Sequence, residues 1–178
     1  MSKYKNALIN PYEIPEEKLP CVVLSDDRQG LFGFLIKQHC AGNYNHAMEL
    51  CTPGYFASQD PTGYNKIHIS KYQKPYIILK FWHYKPATPL LRLKWMDMVD
   101  KELNAPKSAK DYDFLGILGQ MLHLPWLNNP AHKYCSERVA EHLIALGLDF
   151  PKHPTPSELN TLFNKSEDWE CLGYWIAD

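Results

Sequence analysis

Residues 133–146 read KYCSERVAEHLIAL, with Gly147 directly after them. Cys135, Val139, His142, Leu143 and Leu146 recur at helical spacing and line one face of a predicted helix. Glu137, Arg138 and Glu141 fall outside that stripe, on the side expected to face solvent. Gly147 is suited to end the helix in a left-handed conformation. An apolar stripe of this kind must be buried against another layer. The stretches upstream supply one. Residues 76–84 (YIILKFWHY) are β-branched and aromatic and predict a strand. Residues 21–25 (CVVLS) predict a shorter one. Residues 45–51 and 55–59 flank Thr52-Pro53-Gly54, the pattern of a hairpin around a tight turn.

The remaining elements follow from their punctuation. Thr88 as N-cap and Pro89 at the first position start a helix that runs to about Asn104. Residues 111–123 predict another, packed closely through Gly116 and Gly119. Thr155-Pro156-Ser157-Glu158 is a capping box that starts a further short helix. Residues 28–39 read as a short helix weakened by Gly30 and Gly33, and residues 170–176 (ECLGYWI) as a last strand. Residues 1–19 form an irregular arm broken by proline. Strands fill the first half and helices the second. This order predicts an α+β fold, an antiparallel sheet with helices packed on one side. The 178 residues suit one domain over 1–178.

Composition narrows the function classes. The 19 basic and 20 acidic residues are interspersed and sum to a net charge of −1, so no nucleic-acid partner is expected. The N-terminus has no apolar segment of signal-peptide type, and no apolar run reaches bilayer length. No membrane association is expected, and a cytoplasmic location is. The five cysteines are odd in number and irregular in spacing, which argues against a disulfide framework and for buried thiols. His39, Cys40, His46 and Cys51 match no common zinc spacing. No metal and no cofactor is expected. The five tryptophans are scattered and read as core. His83 lies within an apolar strand and reads as a core or face residue, whereas His123, His132 and His153 belong to loop regions.

The candidate chemistry centres on Cys135. A cysteine at a helix start meets unpaired N–H groups and the positive end of the macrodipole. Both favour thiolate, so its pKa is expected below the free value of about 8.5. The same N–H groups suit an oxyanion formed during attack on a carbonyl. A thiolate nucleophile needs a base, usually a histidine held by a third polar group. His46, on the hairpin strand with Met48 and Leu50 on its face, is the candidate. Residues 124–130 (LPWLNNP) precede the cysteine and are expected to form a lip of the cleft.

Several motifs in order resemble the circularly permuted papain-like hydrolases, the group that includes the YiiX-type and lecithin retinol acyltransferase-like enzymes and is related to NlpC-like domains. Tyr44-Asn45-His46-Ala47-Met48-Glu49-Leu50 is similar to the family's histidine strand. Gly63 falls where the next strand carries a glycine, and Tyr112-Asp113 resembles the pair before the cysteine helix. Tyr134-Cys135-Ser136-Glu137 resembles the "(Y/F)-C-S-E" motif, and Thr155-Pro156-Ser157-Glu158-Leu159 a later segment. The early "G-D" of many members is absent, with Asp26-Asp27-Arg28-Gln29-Gly30 in that region instead. The resemblance spans roughly residues 20 to 160. It implies a permuted papain-like fold, Cys135 as nucleophile, His46 as base and the Cys135 amide in the oxyanion hole. It further implies a polar third residue on the following strand. Ser58, Gln59 and Asp60 are available there, and Gln59 is preferred by residue type. The implied activity is a cysteine hydrolase cleaving a peptide or other amide through a thioester, with cell-wall peptides as one substrate class. A lipid acyl hydrolase or acyltransferase of the same fold, or a non-catalytic binding domain, is the alternative. Oligomeric state is not encoded in any pattern found.

Overall fold

The computed structural model describes residues 8–27, 42–60, 62–106 and 134–176. The helices expected at 28–39 and 111–123, the Tyr112-Asp113 pair, the 124–130 lip and Cys40 lie outside the described residues. Within them, six strands form one antiparallel sheet: β1 (Cys21–Asp27), β2 (His46–Thr52), β3 (Tyr55–Asp60), β4 (Gly63–His68), β5 (Ile77–Tyr84) and β6 (Trp169–Ile176). Their order across the sheet is β4-β3-β2-β1-β5-β6. Three helices are present among the described residues: α1 (Pro89–Leu103), α2 (Cys135–Ala145) and α3 (Pro156–Lys165). The fold class is α+β, as the order of elements predicted.

The helix boundaries follow local chemistry. Thr88 accepts the Leu91 N–H at 3.2 Å with Pro89 behind it. Thr155 and Glu158 form both bonds of a capping box. Gly147, past the end of α2, has φ +90°. The hairpin turn has Gly54 at φ +81°, where an added Cβ would lie 3.0 Å from the Tyr12 ring. The backbone conformation therefore favours glycine there, and a larger residue would also push the exposed Tyr12 ring aside.

All three helices cover one face of the sheet. Trp95 and Val99 of α1, Val139 and Leu143 of α2, and Leu159 and Phe163 of α3 pack with Val22, Leu24, Ala47, Ala57, Tyr64 and Trp82. The other face buries Val23, Met48, Leu50, Phe56, Leu79 and Phe81 under Ile14, Leu19, Ile69 and Tyr72, with no α-helix on it among the described residues. The described part of the arm packs into the fold: Ile14 and Leu19 plug the second face, and the Ile9 N–H bonds Tyr174 O at 2.8 Å.

Two expectations change. Glu137 and Arg138 do not face solvent; both are buried. The loop after α2 and the end of α1 close over its first turn: Glu137 meets His153 Nδ1 at 2.5 Å, Ser136 Oγ donates to Pro154 O at 2.6 Å, and Arg138 reaches Glu102 of α1 at 2.9 Å. Cys171 is exposed rather than buried, while Cys21, Cys51 and Cys135 are free thiols with buried or partly buried side chains. Among the described residues no helix is long and apolar enough to cross a membrane.

Candidate active site

Cys135 is the first residue of α2, and its side chain is 5% exposed. The preceding Tyr134 makes no side-chain cap, so the first-turn N–H groups are left for other acceptors. The backbone N–H groups of Ala47 on β2, and of Ser136 and Cys135 itself, act on the sulfur and pull its pKa down. Ala47 directly follows His46. The β2–β3 ladder pairs Glu49 with Ala57 and Leu50 with Phe56, and no further pair toward His46 is present among the described residues. The N-terminus of α2 therefore meets β2 beyond its last pair with β3, where β1 still pairs Leu24 with Ala47 and Ser25 with His46.

His46 projects from the face opposite α2, with Met48 and Leu50, by strand alternation. Its Nε2 lies 2.7 Å from Ser58 Oγ. Tyr72, from the 3-10 turn Ile69–Tyr72, stacks on the imidazole with ring centroids 6.4 Å apart and planes 16° apart. The Tyr72 hydroxyl also shares a hydrogen bond with Ser58, and its charge senses Cys135. Ring, hydroxyl and strand together fix the imidazole plane. Among the described residues, no hydrogen bond to Nδ1 accompanies the one at Nε2. Among the described residues, no hydrogen bond joins Cys135 Sγ to His46.

Of Ser58, Gln59 and Asp60, it is Ser58 that contacts the His46 ring, not the preferred Gln59. Gln59 pairs in register with Tyr64, whose ring lies in the helix-side core, so its side chain leaves the sheet on the face away from His46. Asp60 returns to the His46 side. It is held by Thr62 N at 2.9 Å, Thr62 Oγ1 at 2.6 Å and Lys71 Nζ at 2.9 Å. Burial alone would raise the Asp60 pKa, but the Thr62 and Lys71 bonds outweigh it and hold the carboxyl below its usual value. That negative charge acts on His46, and Lys71 opposes it.

Burial decides the protonation of the pair. It pushes the Cys135 thiol up to about 11, despite the three N–H groups around the sulfur that pull the other way. It pushes His46 down to about 4, against the opposing charge of Asp60. The expected low thiol pKa is overturned: the helix end is worth on the order of 1 kcal/mol, less than desolvating a thiolate in this site. Both shifts favour a neutral thiol and a neutral imidazole. Alkylation of Cys135 by iodoacetamide, followed on its own peptide by mass spectrometry, should rise about tenfold per pH unit from pH 7 to 9.5 without a plateau. A plateau reached below pH 8 would mean a preformed thiolate.

A second polar cluster sits under α2, and sequence reasoning passed over it. Glu49 of β2 is 0% exposed. It accepts from Trp95 Nε1 at 2.5 Å, Tyr64 Oη at 2.8 Å and His142 Nδ1 at 2.9 Å. His142 Nε2 faces Glu102 at 3.4 Å. Burial would lower the His142 pKa, but Glu49 and Glu102 outweigh it and raise it to about 10. The signal was present: alternation that sends His46, Met48 and Leu50 to one face sends Glu49 to the helix face, where His142 stands in the apolar stripe.

His83 lies buried with Nδ1 3.0 Å from Lys18 O. Among the described residues, no group of three or more His, Cys, Asp or Glu is arranged to hold a metal ion. No protein-family model matches this chain, and no curated protein matches it.

Proposed function

We propose that this protein is a cysteine hydrolase of permuted papain-like architecture that cleaves an amide bond of a peptide through a thioester. The observation that carries the reading is the setting of Cys135. A helix-initial cysteine presents its sulfur to three backbone N–H groups, one of them from the residue after a histidine that Ser58 and Tyr72 hold in place. Because both groups rest neutral, His46 acts as a general base during attack rather than as half of a standing ion pair. The thiol proton passes to His46 Nδ1 as sulfur bonds to the carbonyl carbon. The N–H groups at the start of α2 receive the oxyanion. Collapse breaks the C–N bond, and His46 returns the proton to the leaving amine. Water then attacks the thioester, giving up its proton to His46, and the acid product and thiol are restored.

Incubation with a mixture of peptide amides and rapid acid quench should leave an acyl adduct on Cys135, detected by intact mass. Cys135→Ser should carry no thioester. Failure to trap any adduct, with every peptide recovered uncut, would remove the reading. A non-catalytic binding domain of the same fold is the second reading. The missing hydrogen bond between Sγ and His46 among the described residues favours it, although such bonds often form only with substrate bound.

A further inference from the structure

Ser58 and Asp60 leave β3 on the same face, ~7 Å apart along the strand. Ser58 contacts His46, so Asp60 stands one step further along the same row. The 3-10 turn Ile69–Tyr72 packs over this row. Its start is fixed: the Ile69 N–H donates to Gly54 O at 2.9 Å, and His68 Nδ1 accepts the Ser70 N–H at 3.2 Å. Its last two residues then act on neighbouring points. Lys71 Nζ reaches Asp60 Oδ2 at 2.9 Å, and the Tyr72 ring stacks on His46. The Asp60 carboxylate is largely buried and also holds Thr62 N and Oγ1. Lys71 is more than half exposed, so replacing its ammonium strands no buried donor. One turn thus carries both the ring that sets the imidazole plane and the cation that pairs with the carboxylate of the same row.

We propose that Lys71 is a positioning residue for the base: by holding Asp60 it keeps His46 unprotonated in acid and so extends the working range of the centre downward in pH. This assignment rests on the hydrolase reading for turnover, but not for the state of His46. Among the described residues, two charges act on the imidazole. Asp60 favours its protonation, and Lys71 opposes it. Tyr72 and Cys135 also titrate in this site, but burial raises both above their usual ranges, and they stay neutral in acid. Without Lys71 the Asp60 carboxylate acts on the imidazole unopposed, and a protonated His46 takes no proton from the thiol. At neutral pH the ring is unprotonated with or without the lysine, so the effect is confined to acid.

The test titrates His46 by NMR in the full chain, in Lys71→Gln and in Asp60→Asn, its ring signal being the one absent from His46→Ala. The parent midpoint is expected at about 4. Lys71→Gln should raise it by about one pH unit, and Asp60→Asn should lower it. Opposite shifts are the mark of charge, because a loosened turn would rehydrate the ring and raise the midpoint in both variants. An unmoved midpoint in Lys71→Gln, or a rise in both, would overturn the assignment. In turnover, kcat/KM of Lys71→Gln should lie about fivefold below the parent at pH 4 and no lower than the parent at pH 7. An equal loss at both pH values would also overturn it, by showing a turn that merely shapes the site. The two proposals fail separately. Opposite shifts without any acyl adduct on the parent protein keep the role of Lys71 and remove the hydrolase. An adduct with an unmoved His46 keeps the hydrolase and removes the role of Lys71.

Discussion

His46→Ala is expected to lower turnover of a trapped peptide amide by about a thousandfold, the usual scale for removing a general base. The loss should lie in kcat, with KM little changed, because the imidazole is asked to act only as sulfur attacks. A neutral resting thiol makes this loss larger than in an enzyme with a preformed thiolate. Without His46 the proton of a thiol raised to about 11 must leave to water. The residual rate of His46→Ala should therefore climb with pH, while the parent stays flatter above the low His46 pKa. Ser58→Ala keeps the base but frees its plane, and a loss of about tenfold in kcat is expected. Ser58→Thr retains the hydroxyl on a strand that tolerates β-branching and should recover most of it. Parental turnover in His46→Ala would place the base elsewhere and end the assignment.

The choice of Ser58 over Gln59 shows where sequence reasoning reaches its limit. The hairpin itself was readable from Pro53 and Gly54, and both strands formed where alternation put them. What the residues did not reveal is the irregularity between Leu50 and Thr52, where the register shifts by one. Thr52 pairs with Tyr55 next to the turn. Continued without that shift, the same register would set Met48 opposite Gln59 and send Gln59 to the His46 face. After it, Glu49 pairs with Ala57, and parity gives Ser58 to His46 instead. Helix caps were legible for a different reason. Thr88, Thr155 and Gly147 act within a few residues of themselves, so no distant contact can reverse them. The thiol pKa failed in the opposite way. A helix start is local and visible, whereas the burial of Cys135 depends on β2, and the loop after α2 closes over its neighbours Ser136 and Glu137. The same loop and α1 buried Glu137 and Arg138, which spacing alone had sent to solvent.

Glu49→Ala is expected to destabilise the protein by about 3–5 kcal/mol, a large part of the roughly 5–15 kcal/mol available to a domain. The substitution strands three donors at once: Trp95 Nε1–H, Tyr64 O–H and a protonated His142 in the interior. In a domain of this size the melting temperature should fall by on the order of 10 °C, measured by calorimetry. The pH dependence separates charge from packing. His142 is raised from its ordinary value of 6.5 to about 10 in the folded chain. Its contribution is then complete below pH 6.5 and is lost as pH rises through about 10. The parent should lose stability steadily across that window, and Glu49→Gln, which keeps an acceptor but not the charge, should lose less. A Glu49→Gln protein that melts within 1 °C of the parent from pH 6 to pH 10 would mean that His142 is neutral when folded. The cluster also bears on the candidate site. Glu49 and His142 pin α2 to β2 two residues along the strand from Ala47, whose N–H meets the Cys135 sulfur. Loosening that pin should expose the thiol, so Cys135 in Glu49→Ala should alkylate faster than in the parent at pH 8, under conditions where both remain folded. The ion pair that ties the helix to the sheet thus also keeps the Cys135 sulfur beside the Ala47 N–H.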